Sequence, residues 1–599
     1  MKFRLPHKAI VIISAAILFP VITSQSFAYE DVLITEELEG QLEKSRLDEI
    51  FEKYLATIEL YDPERATMLG VHEYDQNLTE RTQDRINKQL DAITNFRNDL
   101  KTINKDHLPP TIRIDLEALD RLMEVDIHDL EHKHLASDHP QYYLEPAYLI
   151  YFMLMNDYQN IAIRGGNALS RLKKMPEILQ QAERTLSRPP KAWTEQAIKQ
   201  AEYLLNHISG LVGAFNEYTR KDPSLRKEVS EVAIPKFKIA LERYIDFLKT
   251  DILPIADGNM AAGDTMYGFY LERQHSLNMT PRKAHAIAKE AYMEALREIK
   301  LEARGIDVVR AGKRGWKNVL ASLPKPYPAQ DDVLQTFQEN MDRALMHFDE
   351  TKVISYPRQR ILIKELPLFL TAAYPTIFYK SPFALDDTRI SQVFAMLPQS
   401  SWKKEEKKEY LEKNYSYSDI EILTSFLIVP GMHVHDAEGA KHISRIRRIS
   451  KQPIVSNGWA AYSEYLAEEQ GFFKEPYSRF MRCYRNLRRA AEALTDVSLH
   501  TKRWTPEQAS EFLQKELDYT KEKADETVIN ISQAPTEAFS YVYGMQRIMK
   551  MRNYYVRTEA KKFDLRKFHD MFLSLGEVPI DLIEEEVRLM KRDDKRIIR

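Results

Sequence analysis

The residues best equipped for chemistry in this chain gather in its last third. His433 and His435 stand two apart, with Asp436 beside them and His442 further on. Imidazole nitrogen and carboxylate oxygen are the usual donors to a zinc ion. An α-helix advances 3.6 residues per turn, so side chains two apart point away from each other. A helical segment would therefore keep His433 and His435 from sharing a face, and a metal site around them needs help from Asp436 or His442. Asp496 and His500 are four apart, the spacing at which side chains meet on one helix face. Such a pair can serve as an acid–base couple or as a packed polar contact. Glu464 offers a carboxylate to a neighbouring guanidinium, with Arg488 and Arg489 as candidates, and Tyr541 can donate a hydrogen bond into a cleft. Trp459, Tyr462 and Tyr465 read as core or cleft wall. No Gly-x-Ser-x-Gly turn or phosphate-binding glycine loop is present, and Cys483 lies in an Arg-rich run without an evident His partner.

These residues must be held by helices. Gly is scarce, 18 in 599 residues, against roughly 7% in an average chain, while strong helix formers abound. Thr280-Pro281 supplies an N-cap and a first-turn proline, followed by Ala284, Ile287, Ala288, Ala291, Ala295 and Ile299 on one face. Thr505-Pro506-Glu507-Gln508 repeats the device with Gln508 in capping-box position. Between Ile361 and Phe394, runs of Tyr, Phe, Ile and Thr alternate with Pro and mark the best place for a small sheet. The expectation is a mainly α, multi-helix fold, one large unit with two lobes around a cleft and at most a small β element.

The first residues carry Lys2, Arg4 and Lys8, an apolar run from Ala9 to Ile22, and a Ser26-Phe27-Ala28 cleavage signature. This pattern predicts a signal peptide over 1–28, a mature unit over 29–599, and export to the periplasm or beyond. The apolar run is short of the roughly twenty residues that span a bilayer, so contact with a membrane is expected only through an uncleaved segment. No Cys lies near the cleavage signature, which speaks against a lipid anchor there. The single Cys excludes an intrachain disulfide, so packing must hold the fold. A net charge of −3, from 86 basic and 89 acidic residues, gives no support to nucleic-acid binding. The oligomeric state is not encoded in any legible way.

Two stretches resemble a known signature: Thr424-Ser425-Phe426-Leu427-Ile428-Val429-Pro430-Gly431-Met432-His433-Val434-His435, and Ser456-Asn457-Gly458-Trp459-Ala460-Ala461-Tyr462-Ser463-Glu464. They are similar to His-Glu-Ala-x-Pro-Gly-His-His-Leu-Gln and Glu-Gly-Trp-Ala-Leu-Tyr-Ala-Glu of the bacterial domain-of-unknown-function 885 family, whose members look like zinc metallopeptidases. Further matches fall in the family's order: Asp62 to Gly70 with Tyr74-Asp75, Leu277 to Pro281 with His285, Asp496 to His500, Trp504 to Ala509, Ser540 to Gly544, and Phe563 to Asp570 with Gly576 and Pro579. The resemblance implies a metallopeptidase-like fold whose zinc ligands and base come from the His-Glu pair, the His after Pro-Gly and the Glu before Gly-Trp.

In this chain those four positions hold Phe426, Leu427, Met432 and Asn457. Hydrocarbon side chains cannot bind zinc or accept a proton, a thioether is a poor zinc ligand, and an amide lacks the charge to balance a dication. Loss of a general base alone removes a factor of about 10² to 10⁴ in rate. The resemblance thus leads to an exported, peptidase-like protein without catalysis, holding no cofactor and binding a peptide or protein partner. His433, Glu464, Asp496, His500 and Tyr541 are its retained cleft residues. The alternative is an active peptide hydrolase, with zinc at a rearranged site around His433 and His435 or with a metal-free mechanism on Asp496, His500 and Tyr541. A structural envelope protein without a ligand is the third class.

Overall fold

Capping residues read from the sequence start helices where expected. The Thr280 side chain accepts from the Lys283 amide, and the helix behind it buries Ala284, Ala288, Ala291, Ala295 and Ile299. Thr505 and Gln508 close a reciprocal capping box at the head of Pro506–Leu517. A cap contributes about 1 kcal/mol, enough to place a helix end. The helices themselves are held by burial of their apolar sides.

The computed structural model describes residues 25–585, apart from 357, 358, 375 and 388. Residues 1–24 of the expected signal segment lie outside the described residues. The helices that matter for the site are α1 (Pro63–Leu69), α2 (Pro110–His132), α3 (Ile161–Thr185), α4 (Ile234–Phe247), α5 (Pro281–Ile306), α6 (Tyr417–Leu427), α7 (Met432–Gly439), α8 (Pro453–Glu469), α9 (Ser478–His500), α10 (Glu537–Glu559) and α11 (Leu565–Ser574). No helix among the described residues is long and apolar enough to cross a membrane.

Two hydrophobic cores form. The smaller centres on residues 143–252, including α3 and α4, and takes in Phe369, Leu370 and Phe394. The larger gathers the other helices, with Leu47 near one end of the chain and Ile583 near the other. A three-stranded sheet lies where they meet: β1 (Ile361–Glu365), β2 (Ile377–Lys380) and β3 (Ser391–Ala395), in the order β1-β3-β2. β3 runs parallel to β1 and antiparallel to β2. Successive strand residues face opposite ways. Val393 and Ala395 accordingly enter the larger core and Phe394 the smaller. The small sheet expected in this region is therefore the joint between the two cores.

The end of α1 is docked onto the loop that follows β2. Gly70 takes φ 85° as the helix cap, and a Cβ there would meet the Asp386 amide nitrogen at 2.7 Å. His72 then bridges Asp75 (Nδ1 to Oδ2, 3.0 Å) and Asp386 (Nε2 to Oδ1, 2.8 Å). Burial alone would lower the His72 pKa, but the hydrogen bonds and charges of Asp386 and Asp75 outweigh it and raise it to about 9. A folded-state value above the usual 6.5 means that the stabilisation is complete below about pH 6.5 and is lost as pH rises through 9. Urea unfolding across this range should show a loss on the order of 2 kcal/mol, after discounting for partial exposure. His72→Gln should flatten that slope; an unchanged slope would assign it to another group.

Candidate functional site

The frame of the two signature stretches is set by close backbone approach. A Cβ on Gly431 would stand 1.9 Å from the Phe426 carbonyl oxygen, so only Gly fits the turn between α6 and α7. A Cβ on Gly544 would come within 2.0 Å of the Ile454 carbonyl oxygen, and one on Gly458 within 2.5 Å of the Gly544 backbone. These glycines let α8 and α10 cross almost backbone to backbone. Trp459, fully buried, donates its indole N–H to the Pro430 carbonyl at 2.9 Å and fixes α8 to the same turn.

This frame delivers Phe426 and Asn457 to adjacent residues at the head of α10. Asn457 Nδ2 donates to Glu537 Oε1 (2.7 Å) and Ser540 Oγ (2.9 Å). The Phe426 ring stacks on Tyr541, with centroids 6.2 Å apart and planes 25° from parallel. The guanidinium carbons of Arg489 and Arg485 lie 4.8 and 5.5 Å from the Phe426 centroid, within the range of cation–π attraction. Glu464, 1% exposed, accepts from Arg489 Nη1 (2.8 Å) and Arg485 Nε (3.1 Å), and from Arg489 Nη2. Burial raises the Glu464 pKa, but Arg489 and Arg485 prevail and hold it below the ordinary carboxylate value. Burial holds Arg485 below its usual range, with Glu464 pulling up and Arg489 and Arg488 pushing down. Leu427 is buried in the larger core, and Met432 packs against it.

Zinc does not fit the four signature positions. Phe426 presents a ring to two guanidinium groups that share one carboxylate, so positive charge already occupies this neighbourhood. The Asn457 amide nitrogen is engaged by Glu537 and Ser540, and burial raises the Glu537 carboxyl although Asn457 and Lys451 oppose it.

The other retained polar residues organise the chain. Asp496, fully buried, accepts backbone N–H bonds from Thr536 (3.1 Å) and Phe539 (3.0 Å) and so anchors the start of α10. Burial pushes its carboxyl up to about 8. His500 Nδ1 accepts from the Ala262 amide (3.1 Å) and Nε2 donates to the Ile531 carbonyl (3.1 Å). Both ring nitrogens are thereby engaged by backbone. His500 Nε2 is 3.7 Å from Asp496 Oδ1, beyond hydrogen-bond range, and burial lowers the imidazole to about 4. Burial, then Glu537, raise the Tyr541 phenol above its usual value. Burial pushes the Cys483 thiol up to about 12. Tyr462 meets His569 Nε2 at 2.8 Å, and the Tyr465 ring packs under the Arg482 guanidinium.

α7 sends its two histidines apart. His433 Nδ1 reaches Ser391 Oγ of β3 at 2.8 Å, and burial lowers its pKa to about 4. His435 Nδ1 lies 3.2 Å from Asp436 Oδ1 and 3.5 Å from Glu577 Oε1. Burial works against its protonation, but Glu577 and Asp436 raise its pKa overall. Burial lifts the Glu577 carboxyl to about 7, opposed by His435. Asp436 is lowered despite its burial, chiefly by His435. Donor atoms of His435, Asp436 and Glu577 lie within 4.8 Å of one another. His442 stays outside this group and accepts from the Ser444 amide at 3.0 Å. Sequence reasoning did not find Glu577, Glu537, Ser391 or Arg485, because each reaches the site from a distant element or carries no local signal.

A cavity of about 280 Å³ is walled by Arg65 of α1, Arg121 of α2, Arg273, Lys451 and Gln452. Gln452 ties this wall to the His435 cluster, because its backbone N–H donates to Glu577 Oε2 at 2.8 Å.

Two solved structures share the fold. A candidate lipoprotein of unknown function from Shewanella oneidensis superposes with a TM-score of 0.72 at 18% identity, over 90% of this chain and 99% of that one. A candidate lipoprotein from Colwellia psychrerythraea gives 0.75 at 18% identity, over 93% and 100%. No curated protein matches the sequence. The family described as "Bacterial protein of unknown function (DUF885)" matches residues 63–587, nearly the whole chain, and this protein belongs to that family.

Proposed function

We propose that this chain is an exported, peptidase-like protein that binds a peptide or protein segment without cleaving it. The observation that carries this reading is Phe426 packed under Arg489 and Arg485, at a position where a hydrolase of this pattern would hold a metal ligand. Peptide-bond hydrolysis needs a polarising ion or oxyanion donor and a base beside the attacking water. Leu427 supplies no base, and Asp496 and His500 are committed to backbone hydrogen bonds. The cavity beside Lys451 remains as a binding place, close in size to small ligand pockets. Export is supported by the signal-like first residues and by the two structural neighbours, each described as a candidate lipoprotein.

Thermal melting against a peptide panel tests the binding half, because a ligand of the folded state raises its melting temperature by mass action. At least one peptide class should raise it by several degrees, and no shift across the panel would refute binding. Quenched fluorescent peptides test the other half and should remain uncut with or without added Zn²⁺. Chelator-sensitive cleavage would overturn the non-catalytic reading.

A further inference from the structure

His435, Asp436 and Glu577 form a donor set with a geometry of its own. Two ligands about 2.1 Å from a tetrahedral ion stand about 3.4 Å apart. The separations from His435 Nδ1 to Asp436 Oδ1 and Glu577 Oε1 are 3.2 and 3.5 Å. The outer oxygens of both carboxylates are already held. Ser381 donates its hydroxyl to Asp436 Oδ2, and the Gln452 amide donates to Glu577 Oε2 at 2.8 Å. Outer partners of this kind orient metal-binding carboxylates, and a cation would take the place of the proton that His435 Nδ1 and Asp436 Oδ1 share.

A second observation concerns Gln452 itself. It is 8% exposed, and its side-chain oxygen has no hydrogen-bond partner among the described residues. Its backbone N–H holds Glu577 while its side-chain oxygen remains unused. The His435 side chain is only 4% exposed. When both carboxylates are ionised, one imidazole cannot balance them, and a divalent cation would. Buried charge of this kind is normally paired or bound to a metal.

We propose that His435, Asp436 and Glu577 bind one divalent transition-metal cation of the zinc type, which ties α7 to the chain segment after α11. One imidazole with two carboxylates is a donor set that such ions accept. This site is separate from the Phe426 position, and the non-hydrolytic reading above stands or falls independently of it. A bound ion here would act as a clamp, because α7 and the Glu577 segment are far apart in sequence and join the larger core together. Lys380 and Lys451 place positive charge near Asp436 and Glu577 and are the competing source of neutralisation.

Full-length protein stripped with chelator and titrated with Zn²⁺ alone gives the test, read by calorimetry and by the melting temperature. Wild type should take up one equivalent and melt higher with Zn²⁺ present. Loss of an outer-shell partner costs about 10- to 100-fold in metal affinity, and a direct ligand should cost no less. His435→Gln and Glu577→Gln should thus weaken binding by about a hundredfold or more, and Ser381→Ala by about tenfold. His442→Gln, which leaves the group untouched, should bind as wild type does. Circular dichroism checks that each variant is folded, and Ser381→Ala carries the test if the ligand variants are not. Failure of folded wild type to take up Zn²⁺ would overturn the proposal, as would uptake undiminished in the variants. The three residues would then be an ion cluster neutralised by the lysines.

Discussion

Glu464→Ala should lower the free energy of unfolding by about 3–5 kcal/mol, the range for removing one partner of a buried ion pair. The size follows from what is left behind. Arg489 and Arg485 both direct N–H groups at Glu464, whose carboxylate is 1% exposed. Without it, two guanidiniums face each other and the Phe426 ring with no anion between them. The cost is the uncompensated burial of charge, so Glu464→Gln, which keeps the shape, should lose most of the same stability. Arg485→Ala should cost less, because Arg489 keeps its two contacts with Glu464. Urea unfolding at neutral pH measures all three. A loss below about 1 kcal/mol for Glu464→Ala would mean that water reaches the guanidiniums, and the Phe426 neighbourhood would then be open instead of filled.

The fold class was legible because helix signals are local. Thr280-Pro281 and Thr505 to Gln508 carry their caps within four residues, and the structure uses both. The sheet was legible as a region, since Pro punctuation and β-branched residues mark it. Its strand order was not, because pairing β3 with β1 in parallel depends on how two cores meet. In the site, the sequence placed Glu464 with a nearby arginine and kept His433 from His435. It offered Arg488 and Arg489 and missed Arg485: Arg489 and Arg485 take Glu464, while Arg488 turns to Glu492. Glu577 and Glu537 were invisible for another reason. Each is an ordinary Glu in its own segment and gains meaning only through a partner on a distant helix.

Asn457→Glu writes back the carboxylate that the family pattern has before Gly-Trp, and it should destabilise this protein, not revive it. Asn457 Nδ2 donates to Glu537 Oε1 at 2.7 Å, and burial already raises the Glu537 pKa. The substitution removes a hydrogen bond to a charged group, worth about 1.5–3 kcal/mol, and sets two carboxylates face to face. The loss should reach about 2–4 kcal/mol near pH 8. Both carboxyls would then have folded-state pKa values above their unfolded ones. Stability is fully kept below the unfolded value near 4 and is lost as pH rises through the raised values, so the deficit should shrink towards pH 4. Added Zn²⁺ should not restore it at pH 8, because Phe426, Leu427 and Met432 supply no matching ligands. Asn457→Glu with Glu537→Gln exchanges donor and acceptor across the same contact and should recover much of the loss. A double-mutant cycle reads this as a favourable coupling of about 1–3 kcal/mol. If the double variant is no more stable than Asn457→Glu alone, the Asn457–Glu537 contact is incidental. Rescue of the single variant by Zn²⁺ would instead mean that the signature position still addresses a metal.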